Sequence, residues 1–226
     1  LIYAILALGV YITFRILDFP DMSVDASFPL GAAVTAMMIE KGVSPLLTLP
    51  ISMAAGALAG ALTGFIHVRF KVRDLLSGII VMTGLYSVNL HIAGRANVQL
   101  FAHSTIFKNP TFSALPFSVQ TYVPVVILAA ITVLAKLLLD AYLATRSGFL
   151  LRATGDNPSL VATLAKDSGK VKILGLSIAN ALVALSGCIM CQYQRYFDIS
   201  MGTGTLVLAV ASVIVGSQLL RGLRFL

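Results

Sequence analysis

The sequence predicts an all-α, polytopic membrane protein whose six to seven helices form one transmembrane domain over residues 1–226. Of the 226 residues, 58% are hydrophobic and only 11% are charged, whereas soluble domains carry about 25% charged residues. The apolar residues form continuous runs and do not alternate with polar ones as they do in transmembrane barrels. Since one crossing takes about 20 apolar residues, the chain has room for six or seven.

Seven apolar runs define the predicted helices, and the second run is too short for a comfortable crossing. It follows the polar stretch DFPDMSVDASFPLG, with Ser27 placed to cap a helix that Pro29 begins. A polar segment followed by a short helix is typical of a discontinuous membrane helix. The predicted helices cover 1–17, 29–40, 46–67, 75–94, 122–144, 172–193 and 205–220.

The basic residues predict the orientation of the chain. Eleven of the 16 Lys and Arg residues fall on one side of the predicted helices and four on the other. Because basic loops stay on the cytoplasmic side, we expect the N-terminus outside and the C-terminus inside a cytoplasmic (inner) membrane. This placement also explains the net charge of +7 better than nucleic-acid binding does. We expect no cleavable signal peptide, and we take the chain as part of a slightly longer protein.

A stripe of small residues marks the third predicted helix. Gly56, Gly60 and Gly64 recur every four residues in AAGALAGALTG, which lets two helix backbones approach closely in lipid. The stripe faces either the interior of the chain or a partner subunit.

The cysteines and histidines do not have the spacing of a metal site. Cys188 and Cys191 lie one helical turn apart in an apolar run, which favours small buried side chains over a redox or metal role. The three histidines, His67, His91 and His103, are far apart in the sequence. We therefore expect no metal.

A short helix is predicted within the cytoplasmic loop 146–171. Asn157 can cap it and Pro158 can take its first position. Leu160, Val161 and Leu164 then share one apolar face. Such a helix either lies on the lipid headgroups or docks on a soluble partner.

This loop resembles the permease subunits of ABC importers, in the branched-chain amino acid, ribose and nucleoside group. Their R-A-x-G-x-N-P-x-x-A pattern opens the coupling helix that fits a cleft on the ATP-binding subunit. It falls here on Arg152, Ala153, Gly155, Asn157 and Pro158, whereas the last alanine of the pattern is shifted by one residue, to Ala162. The stretch DMSVDASFPLGA stands where relatives carry a D-L-S-V-G-type segment. Asp25 replaces a glycine common in the sugar permeases, and the closest resemblance is to an amino-acid-like branch of the tryptophan or tyrosine type.

The resemblance implies a transport subunit without catalytic residues or a cofactor of its own. ATP and Mg would be bound by a partner ATPase, and the chain would translocate an amino acid (aromatic ones included), a nucleoside or a sugar. The implied partners are the ATP-binding subunit, an extracytoplasmic substrate-binding protein, a second permease copy or paralogue, and the lipid bilayer. The residues implied in ATPase coupling are Arg152, Gly155, Asn157, Pro158, Leu160, Val161 and Leu164.

Two polar stretches match each other in residue type and spacing. Asp21-Met22-Ser23-Val24 and Asp198-Ile199-Ser200-Met201 each follow an apolar helix ending in a basic residue. The expected topology gives them opposite orientations, as in inverted repeats that flank a substrate path; the alternative is coincidence. Asn89 and Asn180 lie in apolar helices and either bond neighbouring helices or line the path. The candidate pathway residues are Asp21, Ser23, Asp25, Asn89, Asn180, Asp198 and Ser200.

An ion-coupled secondary transporter is the alternative function. Asp21 or Asp25 would then bind a proton or cation within the membrane. An amphipathic docking helix argues against it, because a secondary transporter needs no ATPase contact. An intramembrane enzyme lacks support, since neither H-E-x-x-H nor G-x-S-x-G occurs.

Overall fold

The computed structural model describes residues 1–108, 122–156 and 168–223, and these residues form eight α-helices and one pair of short strands. The all-α prediction is confirmed. The first apolar run continues beyond α1 as a π-helix, Tyr11–Ile16, and a 3₁₀-helix, Ile199–Gly202, precedes α8. The other elements are α1 (Ile2–Val10), α2 (Val24–Glu40), α3 (Thr48–Phe70), α4 (Asp74–Ala93), β1 (Asn97–Gln99), α5 (Val123–Leu143), α6 (Arg146–Asp156), α7 (Ser168–Gln194), β2 (Tyr196–Asp198) and α8 (Thr205–Leu223).

Five helical segments in the described part of the chain are long and apolar enough to cross a membrane. They are α3, α4, α5, α7 and the continuous stretch Ile199–Leu219, which joins the 3₁₀-helix to α8. The first apolar helix, Ile2–Ile16, is shorter. The polytopic prediction is therefore confirmed, and the count of six to seven crossings stays a prediction.

Helix α7 is the centre of the fold. In its most apolar stretch of 18 residues, 72% of the residues are buried, whereas only 17% are buried in the corresponding stretch of α5. Helix α2 touches the backbone of α7, because a Cβ added to Gly31 or Gly187 would overlap a backbone carbonyl across the α2–α7 contact. Close contact of this kind is the usual use of glycine between membrane helices.

The glycine stripe of α3 lies against α7. A Cβ on Gly56 would overlap the carbonyl oxygen of Asn180, and one on Gly60 would overlap that of Leu176. At Gly64 the added Cβ would lie 2.8 Å from the Cα of Ile173. The stripe therefore packs inside the chain, which is one of the two predicted alternatives, and α3 runs antiparallel to α7.

Helix α2 begins at Val24, five residues earlier than predicted. Pro29 lies inside the helix rather than at its start, and the buried Ser27 hydroxyl finds no hydrogen-bond partner in the part of the chain that the structure describes. Both predicted roles, the Ser27 cap and the first-turn Pro29, are wrong. The physical reason is packing, because 14 of the 17 residues of α2 are buried. Pro29 has no N–H to donate to the Asp25 carbonyl, and the backbone of Gly202 packs against that oxygen.

Residues 146–156, predicted as loop, form α6. Leu151 is fully buried and its side chain lies against Gly175 of α7. A Cβ on Gly155 would overlap the carbonyl oxygen of Ile16. Helix α6 thus anchors the end of the first helix to α7, and α7 itself begins at Ser168 rather than at 172.

The first predicted helix changes its winding before it ends. Beyond α1 the backbone hydrogen bonds span five residues, as from Leu17 N–H to the carbonyl of Ile12 at 2.9 Å. The hydroxyl of Thr13 donates to the carbonyl of Val10 at 3.1 Å. π-helical turns of this kind often occur near functional sites.

Two short strands join the segments that follow α4 and α7. β1 pairs antiparallel with β2, with Asn97 opposite Asp198 and Gln99 opposite Tyr196. Val98 and Phe197 bury their side chains against α2. The sequence patterns did not predict this pairing.

The contact between α3 and α7 predicts a large effect of one glycine substitution. Gly60→Leu should lower the melting temperature of the purified protein by at least about 2 °C, because overpacking costs about 1–3 kcal/mol or more. The readout is the temperature at which a thiol-reactive fluorophore labels the buried Cys188 and Cys191. Gly84→Ala is the matched control, since a Cβ there meets nothing within 4 Å. Equal melting temperatures for the two variants would contradict the interior position of the stripe.

Candidate functional site

The two matching polar stretches adopt the same local turn. A carboxylate oxygen of Asp21 accepts the backbone N–H of Ser23 at 2.9 Å, and one of Asp198 accepts that of Ser200 at 2.8 Å. The helices that lead into the turns run in opposite directions, because Ser186 of α7 donates to the carbonyl of Ile2 at 2.9 Å while Leu17 lies near Gly175. Equal turns after antiparallel helices support the inverted-repeat hypothesis.

Asp21, Ser23 and Asn180 form one buried polar cluster. Each of the three residues is at most 1% exposed. The Asn180 side-chain amide donates to the Asp21 carboxylate at 2.8 Å, and the Ser23 hydroxyl donates to the Asn180 carbonyl oxygen at 3.3 Å. Since buried polar groups are costly unless paired, the cluster fixes the start of α2 beside the middle of α7.

Asp25 joins the first polar stretch to the second. One oxygen of its carboxylate accepts the N–H of Leu206 at 2.8 Å and the hydroxyl of Thr205 at 3.0 Å. The other oxygen accepts the N–H of Gly204 at 3.2 Å. A carboxylate at a helix N-terminus is stabilised by the unpaired N–H groups and the helix dipole. Asp25 of α2 therefore caps α8.

Asn89 of α4 bonds α2 with only half of its amide. Its NH₂ group donates to the carbonyl of Ala26 at 3.0 Å. Its carbonyl oxygen is buried and has no hydrogen-bond partner among the described residues. Both predicted asparagines thus bond between helices, and Asn89 keeps an unused acceptor.

A cavity of about 330 Å³ lies between α2, α4 and the 3₁₀-helix. Three of the predicted pathway residues, Asp25, Asn89 and Ser200, line it. Thr83 and Tyr86, which were not among the predicted pathway residues, also line it. The spacing of Thr83, Tyr86 and Asn89, three residues apart on α4, is the signal that would have found this face.

The remaining predicted pathway residues lie elsewhere. Asp21, Ser23 and Asn180 belong to the closed cluster, and Asp198 lies in the turn after β2. Hydrogen bonds from the Ser200 hydroxyl and N–H hold the pKa of Asp198 below its ordinary value, so it stays ionised at neutral pH. Asn97 also donates to Asp198, at 3.2 Å. The roles of these residues in a pathway stay predictions.

The predicted coupling residues fall at the end of α6 and beyond it. Arg152 is exposed on α6, and Gly155 packs against the carbonyl oxygen of Ile16. Asn157, Pro158, Leu160, Val161 and Leu164 lie outside the described residues.

Comparison with known proteins identifies the family. The family profile described as "Branched-chain amino acid transport system / permease component" matches residues 1–222. The chain belongs to this permease family. The permease is thus a component of an ABC-type transport system, and the predicted resemblance is confirmed.

The permease resembles transport proteins for different solutes. It is 43% identical to a tyrosine transport system permease protein of Clostridioides difficile, over 100% of the chain and 73% of the relative. It is 25% identical to a probable branched-chain amino acid transport permease protein of Methanocaldococcus jannaschii, over 96% of the chain and 71% of the relative. It is 27% identical to a ribose import permease protein of Escherichia coli, over 89% of the chain and 62% of the relative. No solved structure matches the permease.

The capping contact between α2 and α8 predicts a stability effect. Asp25→Ala removes the acceptor of three donors and should destabilise the permease by about 2 kcal/mol. Asp198→Ala, which removes a similar turn at an exposed site, should cost less than about 1 kcal/mol. The melting temperature followed by cysteine labelling measures both. A larger loss in Asp198→Ala would show that Asp25 does not hold the two stretches together.

Proposed function

We propose that the permease is the transmembrane subunit of an ATP-driven ABC importer that moves a small polar solute across the cytoplasmic membrane of a prokaryote. The observation that carries the proposal is the cavity built jointly by the two polar stretches, at the contact of Asp25 with α8. In transporters with inverted repeats, solute sites lie where such broken helices meet. The tyrosine permease relative supports an amino acid as solute, aromatic ones included, and the ribose permease supports the sugar and nucleoside alternative.

The proposed partners follow from the family. Two copies of the permease, or this chain and a paralogue, form the pathway between them, and an extracytoplasmic binding protein delivers the solute. Two ATPase subunits bind ATP and Mg and dock on the coupling segment at 157–165. The N-terminus lies outside and the C-terminus inside, as the basic residues predict.

The exposed face of α4 supports a pathway on this side of the permease. Thr83, Tyr86 and Ser87 are exposed there, although α4 is apolar enough to cross a membrane. Helix α5 exposes apolar residues such as Val126, Leu134 and Leu138 along its length. Polar groups that face lipid are disfavoured. The part of α4 around Thr83, Tyr86 and Ser87 therefore faces the path and the second permease, whereas the exposed apolar residues of α5 face lipid.

The contacts around the coupling segment offer a mechanical route to the cavity. The segment connects α6 to α7, and α6 is packed against Ile16 at the end of the π-helix. From there the chain leads directly to Asp21, which Asn180 of α7 holds. A displacement of the segment by the ATPase thus moves both Asp21 and Asn180. The solute path then shifts between inward- and outward-facing states according to which state the ATP-bound partner prefers.

His67 ties the beginning of α7 to the turn between α3 and α4. Its Nδ1 lies 2.9 Å from the carbonyl of Val72 and 3.0 Å from the carboxylate of Asp74. Its Nε2 lies 3.3 Å from Nζ of Lys172, and the ring of Phe19 contacts it edge to face. The imidazole thus connects four parts of the chain on the side where the ATPase docks.

Uptake into liposomes tests the energy source. The permease reconstituted with its ATPase and binding protein should accumulate solute only with hydrolysable ATP. A complex whose ATPase carries a substitution of its catalytic glutamate is the control and should show none. Uptake driven by an ion gradient without the ATPase would instead establish the ion-coupled transporter.

A charge on the apolar face of the coupling segment should prevent ATPase docking. Leu164→Arg is expected to abolish co-purification of the ATPase, because a buried unpaired charge costs several kcal/mol, while membrane insertion stays normal. Ser159→Arg is the matched control, since the sequence pattern places residue 159 on the opposite face. Unchanged co-purification with Leu164→Arg would place the docking surface elsewhere.

A further inference from the structure

We propose, building on the importer function, that the cavity between α2, α4 and the 3₁₀-helix is a subsite for the ammonium group of an amine-bearing solute. The acceptors are the carbonyl oxygen of Asn89 and the carboxylate of Asp25. The subsite therefore favours amino acids and related amines over sugars and nucleosides that lack such a group.

Asn89 supplies the first acceptor. The residue is 1% exposed and lines the cavity, and its NH₂ group is already bonded to Ala26. That bond fixes the amide orientation and leaves the carbonyl oxygen without a donor among the described residues. A buried acceptor left unpaired costs about 1–3 kcal/mol. The oxygen is buried, so a donor in the cavity reaches it after a small shift of the side chains around it. The hydrogen bond then removes this penalty, so the site favours a ligand with donors.

Asp25 supplies the second acceptor and the charge. The residue lines the cavity, and its carboxylate accepts three hydrogen bonds, two on one oxygen and one on the other. An ionised carboxylate offers about four acceptor positions. One position on the oxygen bonded to Gly204 thus remains. A cation fits it, because a hydrogen bond from an ammonium group to a carboxylate is strengthened by the opposite charges.

Two of the four hydroxyl-bearing residues around the cavity, Thr83 and Ser200, reinforce the preference for donors. Thr83 donates to the carbonyls of Ile79 and Ile80, at 3.1 and 2.9 Å, and the Ser200 hydroxyl is bonded to Asp198. With their hydrogens engaged, these oxygens offer mainly lone pairs. Tyr86 adds an aromatic wall suited to a cation. A carboxylate, which only accepts, finds no charged donor among the described residues that line the cavity.

Saturation-transfer NMR on the intact permease–ATPase complex in phosphatidylcholine nanodiscs tests the subsite. Three small probes of similar size differ in one group: ethanolamine, which is an ammonium at pH 7, ethylene glycol and glycolate. Ethanolamine should receive saturation from the complex, and the other two should not exceed the signal from empty nanodiscs. Equal transfer to ethylene glycol, or preferred transfer to glycolate, would overturn the proposal.

Substitutions locate the binding. Asn89→Leu and, separately, Asp25→Asn should each weaken ethanolamine binding about tenfold, the usual worth of a hydrogen bond to a charged group. Thr132→Val on α5 is the control and should keep the signal, because the Thr132 hydroxyl donates to the carbonyl of Leu128 in its own helix. Full binding in both Asn89→Leu and Asp25→Asn would place the ammonium elsewhere and overturn the proposal.

The same preparation separates this inference from the importer function. ATP-driven uptake without ammonium-selective saturation transfer rejects the subsite and leaves the importer standing. Selective binding that depends on Asn89 and Asp25 but is accompanied by gradient-driven, ATP-independent uptake supports the subsite and rejects the ATP-driven importer.

Discussion

Direct backbone contact with α7 is the constraint on which the rest of the permease depends. Gly31, Gly56 and Gly60 leave no room for a side chain between their helices and α7. Because α2 and α3 are fixed at this short distance, Asn180 in the middle of α7 reaches the carboxylate of Asp21. A larger separation would leave a buried carboxylate short of donors, which is costly in an apolar interior. The close packing at the glycines and the hydrogen bond between Asp21 and Asn180 therefore depend on each other.

The two polar stretches form hydrogen bonds with each other, and neither one pairs all of its polar groups by itself. Asp25 belongs to α2 but completes the N-terminus of α8, and the backbone of Gly202 lies on the carbonyl that Pro29 leaves without a helical donor. Asn89 likewise bonds α2 from α4. The cavity is enclosed by three elements that stabilise one another, so a change in one is felt by the others. Such mutual dependence suits a site that must exist in two arrangements.

The features that depend on local sequence patterns could be predicted from the sequence. Apolar runs located the membrane helices, the four-residue spacing of Gly56, Gly60 and Gly64 predicted a close helix contact, and the R-A-x-G-x-N-P pattern identified the family. The start of α2 was mispredicted because Pro29 normally begins a helix, and only burial against distant Gly202 lets it lie inside one. For the same reason the sequence did not predict the pairing of β1 with β2, helix α6, or the position of Tyr86 in the wall of the cavity. Each depends on neighbours remote in sequence.

The π-helix at Tyr11–Ile16 has an evolutionary consequence. Such a turn accommodates one residue more than a regular helix, and an α-helix turns about 100° per residue. If this extra residue were missing, the residues after the first helix would be rotated about its axis. The Asp21 side chain would then no longer point at Asn180. Insertions and deletions in the first helix are therefore far less tolerable than substitutions. Relatives that share the buried pair should share the length of this helix more strictly than its composition.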